Sequence, residues 1–372
     1  MFFLTHLWCN GAHWIKDYKE VALNMRAEMQ SYLIVFIVSL LSSGAIYWLM
    51  RQRNQNVWGS SNGPQKIHQG VVPRIGGIAI ILGVCGSLVL SQKYLLAWLM
   101  IAAAPVFIVG LAEDFTGSVS AKLRLVVSLV TGYLFCWLTG YQITNVSIDA
   151  VGFLLAIPVV SFVLTSLAVA AMVNALNMVD GLNGLASTTA ILIITSFGIL
   201  SGQGGDFELQ FICFSIVSAC LGFLVWNFPF GKIFLGDGGA YFLGALVAGI
   251  AILLPERNNE ISPFSSMLII IYPFYELVRS TVRRIYVKGY NLLEPDDRHI
   301  HSLIYGFVSS RVLMTRPNQN SLASVMVLIL PLSCCFWALM FFNERLMLFT
   351  GIFAFIVFYE ALIALISNRK KV

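Results

Sequence analysis

Asn174-Ala-Leu-Asn177-Met-Val-Asp180-Gly181-Leu-Asn183-Gly184 is the stretch that decides the fold. It is a polar island. Residues 152–173 before it and 185–201 after it are almost wholly apolar, and a run of roughly 20 apolar residues is what a helix needs to cross a bilayer. Asn174, Asn177 and Asp180 recur every third residue, so on a helix they drift slowly around one face. Gly181 and Gly184 then break the helix and let backbone approach a ligand closely. A carboxylate flanked by amides at the end of a span suits a hydrated metal ion and a phosphate. The plainer alternative is a polar cap between two spans.

The rest of the chain agrees with that setting. Of its 372 residues, 58% are hydrophobic and 11% charged, with a mean hydropathy of +0.82. Soluble domains carry roughly 25% charged residues, so the chain reads as an all-α, polytopic integral membrane protein with no room for a large soluble domain. A net charge of +5 gives no reason to expect a nucleic-acid partner, because basic residues in a membrane protein chiefly set orientation. The seven Cys show no CxxC or metal-type spacing, and several lie inside apolar runs as packing residues.

Eleven apolar spans are expected, at 31–50, 75–92, 94–112, 124–140, 152–173, 185–201, 208–228, 238–255, 264–280, 322–342 and 346–367. Residues 1–30 form an N-terminal extension, either an interfacial helix or a start-site artefact ahead of Met25 or Met29. Residues 31–372 form a single transmembrane domain. Eleven spans put the termini on opposite sides. Seventeen of the 23 Lys and Arg fall on one side and six on the other, which places the C-terminus in the cytoplasm and the N-terminus outside. Loops 51–74, 113–123, 173–184, 229–237 and 281–321 then share the cytoplasmic face and hold nearly every unusual polar residue. A secondary transporter of an anionic solute is the rival reading, but it calls for polar groups near the midplane or on both sides.

Each loop offers candidates. Lys66, His68 and Arg74 suit phosphate, beside Pro73, Gly76 and Gly77. Glu113 and Asp114 are adjacent acids that can share a proton or a metal, or form a solvated helix end. Asp237 sits among glycines at the mouth of a span; Mg²⁺ commonly takes one or two carboxylates plus phosphate oxygens and water. Phe234 offers a face on which a base can stack, with membrane packing as the alternative. His299 and His301 form either a metal pair or, beside Arg298, a phosphate contact. Glu276 and Glu360 lie in or near spans and receive no role.

Taken in order, these motifs resemble the polyprenyl-phosphate N-acetylhexosamine-1-phosphate transferases, a bacterial family related to phospho-N-acetylmuramoyl-pentapeptide transferase. The matching segments are Pro73–Gly77, the acids Glu113 and Asp114, Asn174–Gly181, Phe234–Asp237 with Asn227 seven residues before, and His299 with His301. The resemblance implies a multi-pass inner-membrane enzyme that joins a UDP-N-acetylhexosamine to undecaprenyl phosphate on the cytoplasmic face and releases UMP. It implies Mg²⁺, with Mn²⁺ as an alternative. Asp237 would be its principal ligand, and Asp180, Asp114 and Glu113 would serve metal binding, proton transfer or positioning of the lipid phosphate. Asn227 and Phe234 would hold the uridine, with Asn174, Asn177 and Asn183 also at the substrate. Arg298, His299 and His301 would face the diphosphate or sugar. The implied partners are the two substrates, membrane lipid, and downstream glycosyltransferases and a flippase for the product, with a homodimer left open. Three departures stand out: Glu113 and Asn183 replace the usual Asp, and Ala240 replaces a common Ser. The short His-Ile-His favours the branch that takes simple sugars.

Overall fold

Inside a bilayer every backbone N–H and C=O must be paired within the protein, which leaves helices as the economical answer for a single-chain bundle of apolar runs. The computed structural model describes residues 2–52, 72–286 and 298–368; of 2–24, 149, 150 and 368 it describes the backbone alone. Lys66 and His68 lie outside the described residues.

In chain order the helices are α1 (Phe2–Gln52), α2 (Gly77–Ser91), α3 (Tyr94–Thr116), α4 (Ala121–Thr139), α5 (Asp149–Leu155), α6 (Pro158–Val179) and α7 (Leu185–Gln203). They continue as α8 (Phe207–Asn227), α9 (Gly236–Arg257), α10 (Pro263–Ile269), α11 (Ile271–Tyr286), α12 (Ile300–Ser309), α13 (Arg316–Met340) and α14 (Arg345–Asn368).

Among the described residues nine helices are long and apolar enough to cross a membrane: Met25–Gln52 of α1, then α3, α4, α6, α7, α8, α9, α13 and α14. Two of the eleven expected runs are not among these nine. The run at 75–92 becomes α2, with 15 residues. The run at 264–280 is divided at Ile270 between α10 and α11. Pro273 explains the division: it has no N–H to give the carbonyl of Ile269, four residues back. The run at 152–173 begins later than expected, at Pro158, which occupies the first turn of α6. The extension 1–30 and the first span form one unbroken helix.

The centre of the bundle is α9, whose most apolar window is 94% buried, whereas that of α1 is 17% and that of α14 is 22% buried. Small residues let its neighbours close in. A methyl on Gly244 would lie 2.7 Å from Cα of Val173 on α6, and one on Gly110 of α3 would lie 2.6 Å from Cα of Gly238. At one end of the bundle gather the N-termini of α2, α4, α9, α12 and α13 and the C-termini of α3, α6 and α8. At the other end Arg257 grips Asp206 through Nε (2.5 Å) and Nη2 (2.8 Å). There Glu256 also accepts from the Thr144 amide (2.7 Å) and hydroxyl (2.6 Å).

Candidate active site

The site is built around the N-terminus of α9. Pro73–Gly77 runs alongside Phe234–Leu235 as a short backbone ladder. Phe234 N–H donates to Pro73 O (2.8 Å), Gly76 N–H to Phe234 O (2.9 Å) and Gly77 N–H to Leu235 O (3.0 Å). Only glycine fits these crossings. Gly236 has φ +79°, and a methyl on it would lie 1.9 Å from Arg74 O; one on Gly77 would lie 2.4 Å from Cα of Gly239. The backbone at Gly76 and Gly77 thus closes onto α9 and the loop before it.

Asp114, at the end of α3, accepts the backbone N–H of Asp237 and of Gly238, each at 2.9 Å. These are donors that a helix N-terminus leaves without an intrahelical partner. Asp114 therefore caps α9, and with both oxygens engaged it fixes where Asp237 points. Its neighbour Glu113 accepts the N–H of Val119 (2.8 Å), closing the α3–α4 turn, and lies 3.8 Å from Arg124.

Asp237 sits between two guanidinium groups: Arg124 Nη1 is 3.1 Å from one oxygen and Arg74 Nη2 is 3.6 Å from the other. Arg124 also reaches the Tyr241 hydroxyl (3.4 Å), to which Asn177 Nδ2 donates (3.4 Å). Asp180, just past the end of α6, belongs to the same field. Burial lifts its carboxyl to about 7, Arg74 pulls it back, and the charge of Asp237 raises it further. Asn174 turns its amide onto the Ala170 carbonyl of its own helix (2.7 Å) and contributes less to the cluster.

Among the described residues no group of three or more His, Cys, Asp or Glu side chains forms a complete metal cage. The donor set is two carboxylates, Asp180 and Asp237. Hard oxygen donors in that number fit Mg²⁺, which keeps several waters and fills its shell from substrate phosphates. They do not fit structural zinc.

Loops 173–184 and 229–237 are braced together by amides. Asn227 is buried; its Oδ1 accepts the Gly184 N–H (2.8 Å) and its Nδ2 donates to Ile233 O (2.8 Å). Its amide thus holds the two loops in register. Asn183 is buried too: its N–H donates to Asn320 Oδ1 (2.7 Å) on α13 and its Nδ2 to Pro229 O (2.9 Å). Its Oδ1 has no partner and lies near Gly231, beside the half-buried ring of Phe234.

The His-x-His pair lies on the opposite wall. His299 and His301 stack in parallel, centroids 5.4 Å apart and planes 5° apart. A methyl on Gly181 would lie 2.3 Å from His301 Nε2, so this ring rests on the Asp180–Gly181 turn. His299 Nδ1 is 3.0 Å from Glu276. Burial, with the nearby His299, pulls His301 down to about 4. Arg298 is exposed, and its carbonyl accepts from Arg283 (3.2 Å).

Sequence reasoning counted Arg124 only as orientation charge and gave Glu276 no role. The signals were present: a basic residue inside the first turn of an otherwise apolar span, and an acid on the buried face of an amphipathic helix. Tyr241, Tyr359 and Asn320 carry no such signal.

Fold and site together define a multi-pass helical membrane protein with a two-carboxylate, two-arginine centre at one end of its bundle. Residues 96–255 match the family described as glycosyl transferase family 4. The undecaprenyl-phosphate alpha-N-acetylglucosaminyl 1-phosphate transferase of Yersinia pestis is 28% identical over 260 residues, 67% of this chain and 70% of that protein. Its namesake in Salmonella typhi is 29% identical over 264 residues, with the same coverage. A probable undecaprenyl-phosphate N-acetylglucosaminyl 1-phosphate transferase of Bacillus subtilis is 27% identical over 281 residues, 74% of this chain and 77% of that protein. The match to glycosyl transferase family 4 and the names of these relatives agree with the family to which the five motifs pointed.

Proposed function

We propose that the protein transfers an N-acetylhexosamine 1-phosphate from a UDP-sugar to undecaprenyl phosphate at the cytoplasmic face of the bacterial inner membrane. The observation that carries this reading is Asp237 held between Arg74 and Arg124 beside Asp180, at one end of a bundle of apolar helices. An oxygen of the lipid phosphate attacks the β-phosphorus of the donor. A new P–O bond forms, the bond to the UMP phosphate breaks, and UMP leaves. Two anions must meet, so the site has to offset their repulsion.

Arg74 and Arg124 do this directly, as bidentate-capable cations at the mouth of the bundle. Asp180 and Asp237 are the residues that would hold Mg²⁺. When bound, Mg²⁺ supplies charge neutralisation at the phosphates. Asp114 keeps Asp237 in place through the α9 amides. Asn227 and Asn183 hold the loops that border Phe234, whose ring would stack on the uracil. The buried, neutral His301 closes the site over the Asp180–Gly181 turn. The acceptor's polyprenyl tail stays in lipid, which accounts for an enzyme built almost wholly of apolar helices. The names of the relatives support the acceptor and the sugar phosphate; the excess of basic residues on the site's side supports the cytoplasmic orientation.

The test is UMP release by purified protein given undecaprenyl phosphate, Mg²⁺ and a panel of UDP-N-acetyl sugars. Release that needs lipid and metal and is lost in Asp237→Ala is the expected result. No release with any sugar, from folded protein, would overturn the reading.

A further inference from the structure

Three donors converge on one buried carboxylate that the proposed chemistry does not use. Glu276 on α11 is 2% exposed. Its Oε1 accepts the Ile300 N–H (3.0 Å) and the Tyr359 hydroxyl of α14 (2.5 Å); its Oε2 faces His299 Nδ1 at 3.0 Å. Replacing a buried charge by a well-packed apolar residue is often neutral or stabilising. An acid kept in such a place points to a role beyond packing.

The geometry points to Glu276 as a positioning residue that, through His299 and His301, sets the histidine wall of the site against the Asp180–Gly181 turn. An ionised carboxylate only accepts hydrogen bonds, so the Nδ1 of His299 facing it carries the proton. That fixes the tautomer and leaves Nε2 as the nitrogen for a ligand. The same carboxylate takes the Ile300 N–H at the start of α12, a helix whose N-cap His299 provides no side-chain cap of its own. Ring orientation and helix start are therefore set by one group.

From there the register passes on by contact. The His299 ring lies parallel to His301, and His301 Nε2 rests on Gly181, next to Asp180. Tyr359, contributed by a different helix, steadies Glu276. The other ionisable groups acting on this cluster are Tyr272, Arg279 and Arg283 of α11. Removing the carboxylate that orients a metal-ligating histidine typically costs about 10–100-fold in activity, and a loss of that order is expected for this pair.

The inference rests on the transferase reading, so its test has one arm that does not. Full-length protein with ¹⁵N-labelled histidine, in detergent and without substrate, is compared as wild type, Glu276→Gln and Tyr359→Phe by imidazole ¹⁵N NMR. In the wild type His299 should carry its proton on Nδ1. Glu276→Gln, whose amide can donate as well as accept, should give mixed tautomers. Tyr359→Phe, which leaves the His299 contact in place, should keep the wild-type tautomer and show that the fold tolerates change here.

The second arm is UMP release in a double-mutant cycle. Glu276→Gln should lower kcat about 10–100-fold in the wild-type background and have little further effect in His299→Ala. An unchanged His299 tautomer in Glu276→Gln, or losses that multiply in the double mutant, would overturn the proposal. If the wild type releases no UMP, the transferase reading fails, and the NMR arm alone decides whether Glu276 governs His299.

Discussion

Replacing Asp114 by Asn changes hydrogen bonding at the α9 N-terminus with almost no change in volume. In the native site both oxygens accept backbone N–H groups at 2.9 Å. An amide keeps one acceptor and turns its NH₂ toward the second N–H. The substitution removes one charge-assisted hydrogen bond, about 1.5–3 kcal/mol, and leaves a buried donor unmet, about 1–3 kcal/mol. It also removes a negative charge from a helix N-terminus, about 0.5–2 kcal/mol. These terms overlap, so a loss of about 3–5 kcal/mol is expected. The assay is unfolding by SDS titration in mixed micelles, followed by circular dichroism, with UMP release measured on the same preparation. Asp114→Asn should unfold at a clearly lower SDS fraction, and UMP release should fall because Asp237 is no longer aimed. A variant as stable as the wild type but devoid of turnover would refute this reasoning and return Asp114 to a role in proton transfer.

Gly236→Ala should abolish UMP release and destabilise by more than about 3 kcal/mol, since the added methyl would lie 1.9 Å from Arg74 O at φ +79°. Gly117→Ala, at φ +61° with open space around it, should cost only the left-handed backbone penalty of about 1–2 kcal/mol and keep its activity. Arg257→Met severs the grip on Asp206 at the far end of the bundle. It should lower SDS resistance by about 2 kcal/mol, between the surface and buried ranges, and leave the KM for the UDP-sugar unchanged. His301 has its pKa lowered to about 4 from an ordinary 6.5, so between these values the unfolded chain binds the extra proton. Stability should therefore fall as pH drops from about 6.5 toward 4, by at most about 3 kcal/mol, and His301→Gln should flatten that part of the SDS-titration profile.

The membrane class and the gathering of polar loops at one end were legible because apolar runs and breaks are local properties of the chain. The breaks within expected runs were not, because Pro273 acts through a hydrogen bond it fails to make, and that effect does not show in average hydropathy. Asp237 and Asp180 stood out as acids beside glycines. What Asp114 and Asn227 do was hidden, since their partners are backbone atoms 123 and 43 positions away in sequence. Arg124 looked like one of many orientation charges, and only tertiary packing brings it to Asp237. The His-x-His pair was visible, but the acid that orients it lies 23 residues upstream on the amphipathic helix α11.

The glycines around α9 imply that this site is specified as much by missing atoms as by the carboxylates. Gly77, Gly110, Gly236 and Gly238 are places where a single methyl group would push two backbones apart. A designer grafting this centre onto another helical scaffold would gain little by copying Asp180, Asp237 and the arginines alone. The transferable part is the set of bare backbone crossings that lets three helix ends meet closely enough for those charges to see one another.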